Sequence, residues 1–259
     1  MTNGAKIGVA LHSLIPVRSE SSECAEMVTQ MLFMQTCDVL EELPRWVKVC
    51  LHDDSQMGFV DKKMLTIFDQ VPYNKEQWLP KVAFPMAYAL SLGNQQTIPL
   101  TAGTCLPNYQ NGQFYIENAR FQIDPQFVIT KPLDLTLENL QQTTRFFLNT
   151  PYLWGGKSAL GIDCSGFTQI ILSLFGIKLP RNASQQVACG KPVDLKNAQA
   201  GDLAFFGDSK ITHVGILLSS DTIIHASGRV KIEKIDSNGI IALGTNQYTH
   251  HLNCVKRLI

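Results

Sequence analysis

The stretch YLWGGKSALGIDCSGFT, residues 152–168, decides how the rest of the chain is read. A glycine-rich approach leads to Asp163, a residue type that caps helix N-termini. Apolar residues then fall at Phe167, Ile170, Ile171, Leu174 and Phe175, the spacing of one helix face. Gly176 follows as a left-handed C-terminal cap. Cys164 therefore occupies the first turn of a helix, where unpaired backbone N–H groups and the helix dipole favour a thiolate. An arbitrary cysteine is more often a small buried residue, so this one needs a base nearby before it counts as a nucleophile.

Downstream, His213 begins the apolar run to Leu218 and His225 ends the run from Thr222. Ser219, Ser220 and Asp221 form the turn between them. A tight hairpin centred near residue 219 pairs position 213 with 225 and puts both imidazoles on one sheet face. If the Cys164 helix packs on that face, thiol, base and orienting group line up. His213 would take the thiol proton, and His225 would hold its ring in the productive tautomer. The backbone N–H of Cys164 and the Tyr152 hydroxyl are available to an oxyanion. A metal site built from Cys164, His213 and His225 is the other sharp reading, although catalytic zinc usually shows tighter ligand spacing. No metal and no cofactor are expected. His250 and His251 read as surface residues.

Upstream, Thr136 caps a helix carrying Leu137, Leu140, Thr144, Phe147 and Leu148, which Thr150-Pro151 ends. Helices first and antiparallel strands second make an α+β domain over residues 134–259. The front of the chain reads instead as short strands punctuated by turns and prolines. Two small all-β modules are expected, over 1–68 and 69–133, with the boundary near Asp69 to Tyr73. The apolar stretch Val28 to Phe33 fits either strand or helix.

The chain has 259 residues, 22 basic against 22 acidic, and 45% hydrophobic content. Balanced charge gives no reason to expect a nucleic-acid partner or an anionic membrane surface. No apolar run approaches a membrane span. The seven cysteines are scattered, odd in number and without C-x-x-C spacing, so neither a disulfide framework nor structural zinc is expected. The segment from Met1 to Ser13 lacks the pattern of a signal peptide. A cytoplasmic location follows as an expectation, or a periplasmic one if a leader has been removed.

The blocks PYLWGG (151–156), DCSGF (163–167), LPR (179–181), AGDL (200–203), HVGI (213–216) and IHAS (224–227) resemble those of the NlpC-type, papain-like peptidases of bacterial cell-wall peptides. The resemblance implies a Cys–His–His triad, carried over to Cys164, His213 and His225. PVRSE (16–20), AEMVTQMLF (25–33) and LPNYQNG (106–112) resemble two bacterial SH3-like modules found in a subgroup of the dipeptidyl-peptidase VI type. The implied fold is thus a papain-like α+β domain preceded by two SH3-like barrels. The implied activity is hydrolysis of the γ-D-glutamyl–L-diamino-acid bond (diaminopimelate or lysine) in murein peptides with a free N-terminal L-Ala, during cell-wall peptide recycling. Glu26 matches a carboxylate that meets the substrate amine in that subgroup, an apt partner for an ammonium group. Tyr152, Asp163 and Ser165 match positions near the substrate's D-Glu and backbone. Asn182 stands where the family often has Asp, and residues 54–58 lack a tyrosine present in relatives. Rival readings are an endopeptidase or amidase on intact peptidoglycan stems, and a non-catalytic wall-peptide binder.

Overall fold

The computed structural model describes residues 6–71, 73 and 77–259. Residues 1–5, which open the N-terminal segment, and Pro72, within the expected module boundary, lie outside the described residues. The chain divides into two compact units, 1–132 and 133–259. Among the described residues no helix is long and apolar enough to cross a membrane.

Among the described residues the regular elements of the first unit are strands and two single 3-10 turns. Strands β1 (Ile7–Ala10), β2 (Leu14–Arg18), β3 (Met27–Leu32), β4 (Thr36–Glu42), β5 (Trp46–Leu51), β6 (Met57–Asp61) and β7 (Leu65–Phe68) form one antiparallel sheet in the order β3-β2-β6-β5-β4-β1-β7. The ambiguous stretch at 28–33 is thus strand. Strand β8 (Lys81–Val82) pairs with β13 (Val128–Ile129), and β9 (Ala87–Ser91), β10 (Thr97–Leu100), β11 (Gln113–Ile116) and β12 (Ala119–Ile123) form a second sheet. One core lies under the first sheet, around Ile15, Val17, Val49 and Val60. A second core draws Ile7 and Val9 of β1, and Phe33 and Met34 of the turn after β3, in among Val82, Leu100, Phe114 and Phe121. Phe33 meets Phe121 edge-on, ring centroids 5.2 Å apart. The two sheets therefore share buried side chains, which a reading by strand spacing could not foresee.

The second unit begins with α1 (Leu137–Thr144), capped by the Thr136 hydroxyl, which accepts from Asn139 N at 3.2 Å. A minimal hairpin follows, β14 (Lys157–Ser158) with β15 (Gly161–Ile162), and then α2 (Cys164–Ser173). α3 (Ala183–Gln186) and β16 (Lys191–Val193) interrupt the loop that leads to the sheet. The sheet strands are β17 (Leu203–Phe206), β18 (His213–Ser219), β19 (Thr222–Ser227), β20 (Arg229–Asp236), β21 (Gly239–Ile241) and β22 (Tyr248–Arg257), in the order β16-β22-β17-β18-β19-β20-β21. α2 packs on β18 and β19, because nearly its whole length is apolar or small and buried.

The β18–β19 register corrects the expected pairing. Ile216 opposes Ile224, Leu217 opposes Ile223, and Ser219 opposes Thr222 across an irregular turn. The hairpin is thus centred one residue later than expected, and His213 does not oppose His225. An even offset keeps both on the same face, so the two rings meet diagonally. Gly215 makes room for this: a Cβ there would sit 2.9 Å from the His225 Cβ.

Candidate active site

Asp163 builds the start of α2. Its carboxylate accepts from the backbone N–H of Gly166 at 2.7 Å, which caps the helix, and from that of Gly155 at 2.8 Å, which holds the glycine-rich approach against it. Gly166 is required here, since a Cβ would fall 2.4 Å from the Gly156 carbonyl oxygen. Arg181, fully buried, donates through both terminal nitrogens to the same carboxylate and through Nη1 to the Ser165 hydroxyl at 2.9 Å. The Ser165 hydroxyl in turn donates to Asp163 at 3.3 Å. Asp163 and Ser165 thus have internal partners that fix the Cys164 turn.

Cys164 is 6% exposed. The backbone N–H groups of Ser165 and of Val214, the neighbour of His213, favour the ionised sulfur. Burial pushes the thiol up to about 11 and the Asp163 charge adds to this, outweighing those donors and Arg181. Desolvation thus opposes the preference of the first turn for a thiolate. Burial, followed by the charge of the neighbouring Cys164, raises the ionisation of the Tyr152 hydroxyl. The Tyr152 backbone N–H donates to Gly228 O at 2.9 Å, which ties the approach strand to the end of β19.

His213 Nε2 lies 2.8 Å from His225 Nδ1, and the rings are nearly perpendicular at 83°. His225 Nε2 lies 2.8 Å from Glu233 Oε2. Lys231 Nζ contacts the same oxygen at 3.1 Å, and the Leu243 N–H donates to Glu233 Oε1 at 2.9 Å. Burial, then the neighbouring His225, His250 and Lys231, hold His213 well below the usual imidazole value of 6.5. Burial lowers His225 as well, against the pull of Glu233. Burial opposes ionisation of Glu233, yet its hydrogen bonds from His225, Leu243 and Lys231 keep it down at about 2.

Two neighbours of the site escaped the sequence reading. Glu233 sits in a Lys-Ile-Glu-Lys run that resembles a solvated strand, yet it is 3% exposed. The available signal was its alternation with Lys231, which opposes His225 in the register. His250, expected at the surface, lies on β22 and stacks on His213 with centroids 4.2 Å apart and 28° between planes. Burial, then His225 and Lys231, bring it down to about 4. Glu26, in contrast, belongs to the first unit, exposed just ahead of β3. Among the described residues no group of three or more histidine, cysteine, aspartate or glutamate side chains is arranged to hold a metal ion.

Neutral buried imidazoles make the fold acid-sensitive. Below about pH 6.5 the unfolded histidines bind protons that folded His213 and His225 resist, so the unfolded state gains protons and stability falls with pH. Their contribution is complete above the unfolded value and declines by up to about 1.4 kcal/mol per pH unit for each histidine below it. The thermal midpoint, followed by circular dichroism from pH 8 to pH 5, should drop through that window, and a flat midpoint would contradict neutral histidines.

The profile of the NlpC/P60 family matches residues 149–252, and that of the bacterial dipeptidyl-peptidase SH3 domain matches residues 17–65. The chain is 31% identical over 245 residues to a γ-D-glutamyl-L-lysine dipeptidyl-peptidase of Bacillus subtilis, an alignment that covers 88% of this chain and 80% of that protein. A Bacillus cereus protein of the same name is 28% identical, with 83% and 73% covered. The crystal structure of an NlpC/P60 family protein from Bacillus cereus superposes with a TM-score of 0.80 at 21% identity, covering 97% of this chain and 99% of the other. That likeness bears on the fold: a papain-like catalytic domain with an SH3-like domain ahead of it.

Proposed function

The chain belongs to the NlpC/P60 family of cysteine peptidases, and on that premise we propose that it hydrolyses the γ-D-glutamyl–L-diamino-acid bond of murein peptides that carry a free N-terminal L-Ala. The observation that carries this reading is the alignment to the Bacillus subtilis dipeptidyl-peptidase, which runs through both units. His213 accepts the Cys164 proton as sulfur attacks the γ-carbonyl carbon of D-Glu. The Cys164 N–H and the Tyr152 hydroxyl donate to the developing oxyanion. The intermediate collapses to a thioester, and the departing diamino-acid amine takes the proton from His213. Water, deprotonated by His213, then releases the dipeptide. No cofactor enters this scheme. Asp163 and Ser165 serve substrate through the turn they shape. Glu26 meets the substrate ammonium group and so selects free N-termini over acylated wall stems. Seven unpaired thiols suit a reducing compartment and a recycling role.

Mass spectrometry of L-Ala-γ-D-Glu-L-Lys and its diaminopimelate analogue, each with a free and an acetylated N-terminus, tests the proposal. Cleavage confined to the free-amine peptides, with a raised KM in Glu26→Ala, is the expected result. Equal cleavage of acetylated peptides would transfer the chain to the endopeptidases of intact stems. A chain that binds the peptides and cleaves none would be a wall-peptide binder.

A further inference from the structure

We propose that Glu233 is the positioning residue that sets the tautomers of His225 and His213, and so decides which nitrogen of His213 receives the Cys164 proton. The proposal rests on the roles given above to Cys164 and His213. It follows from two linked hydrogen bonds.

An ionised carboxylate only accepts hydrogen bonds. Glu233 Oε2, 2.8 Å from His225 Nε2, therefore requires the proton of His225 to sit on Nε2. In a neutral ring the other nitrogen is then bare. His225 Nδ1 can only accept, and its partner at 2.8 Å, His213 Nε2, must carry a proton. Neutral His213 is left with a bare Nδ1, the nitrogen free to act as base. Each constraint hands the next ring one allowed tautomer, and the first link is the carboxylate.

The surroundings hold that carboxylate in one state. Lys231 shares Oε2 with His225 and the Leu243 N–H occupies Oε1, so both oxygens are committed to donors. Glu233 is 3% exposed, and a buried carboxylate is costly unless paired in this way. The charged and titratable groups that act on the two rings are Lys231, Glu233 and His250, while Asp163 and Arg181 act on the thiol. Lys231, Glu233 and the Leu243 N–H converge on the relay from its far end, away from the thiol. An apolar side chain at 233 would free His225 to place its proton on Nδ1. His213 Nε2 would then have to accept, its own proton would move to Nδ1, and the thiol would face a donor.

The test uses the full chain labelled with ¹⁵N-histidine, read by two-bond ¹H–¹⁵N correlation near pH 7.5, alongside kinetics on L-Ala-γ-D-Glu-L-Lys. In the wild type, His213 and His225 should both appear as Nε2–H tautomers. In Glu233→Leu the Nδ1–H form of His225 should appear and kcat should fall by roughly 10² to 10⁴-fold with KM little changed, the upper figure being the loss when an orienting carboxylate is removed from a catalytic histidine. Glu233→Gln keeps an acceptor toward His225 and should retain more of the Nε2–H form and more activity than Glu233→Leu. A wild-type spectrum with His225 as Nδ1–H or as imidazolium overturns the proposal without any variant. Unchanged kcat in folded Glu233→Leu also overturns it. If the wild type leaves the peptide uncut while the tautomers respond to Glu233 as stated, the substrate reading fails and the tautomer relay stands.

Discussion

Cys164→Ala should lower kcat/KM on γ-D-glutamyl peptides by at least about 10⁴-fold, the scale on which removal of a nucleophile abolishes covalent catalysis while oxyanion donors and binding remain. KM should move little, because the sulfur makes its bond to substrate only on the way to the transition state. His213→Ala should cost a similar factor, and the double variant should be no worse than either single one, since nucleophile and base act as one unit. Burial pushes the Cys164 thiol up, so its deprotonation depends all the more on transfer to His213. Stopped assays with enzyme in excess measure the loss. Activity within tenfold of wild type in either single variant would remove Cys164 and His213 from the chemistry.

The largest stability effect is expected at Arg181. Its guanidinium is 1% exposed and binds Asp163 and Ser165 together. Arg181→Met would leave the Asp163 carboxylate buried with two backbone N–H donors and no counter-charge. Breaking a buried ion pair from one side costs about 3–5 kcal/mol, which should appear as a lower urea midpoint for unfolding of the second unit. Activity should fall in step even below the transition. The same carboxylate caps α2 and holds Gly155, so a displaced Asp163 moves the Cys164 turn. Asp163→Asn should cost less, because the amide oxygen can still cap Gly166 while the unmatched charge is then on Arg181, whose long side chain can reach solvent more readily. A midpoint for Arg181→Met within experimental error of wild type would show that the pair contributes nothing.

Much of the second unit was legible because its signals are local. Asp163 caps α2, Thr136 caps α1, and the apolar runs after His213 and before His225 became strands, since each needs only near neighbours to be recognised. The pairing of the two histidines was misjudged by two positions, one at the hairpin centre, because register depends on the turn. Ser219 opposing Thr222 is a detail of hydrogen bonding that spacing alone does not carry. Glu233 and His250 escaped for a different reason. Both lie on polar strands, β20 and β22, whose burial comes from neighbours far along the chain. Arg181 was read as part of a motif, but its service to Asp163, 18 residues earlier, is visible only once the loop after α2 folds back.

The core shared by the two sheets of the first unit bears on how such a protein can be inherited. Phe33 and Met34 are fully buried among side chains from residues 82–123. A gene fragment ending at residue 68 would encode a sheet with an uncovered aromatic face, and one starting at 69 would encode a sheet missing part of its interior. Either fragment would expose apolar side chains that the other covers. The smallest self-contained piece is the whole of 1–132, so the two sheets must be altered together.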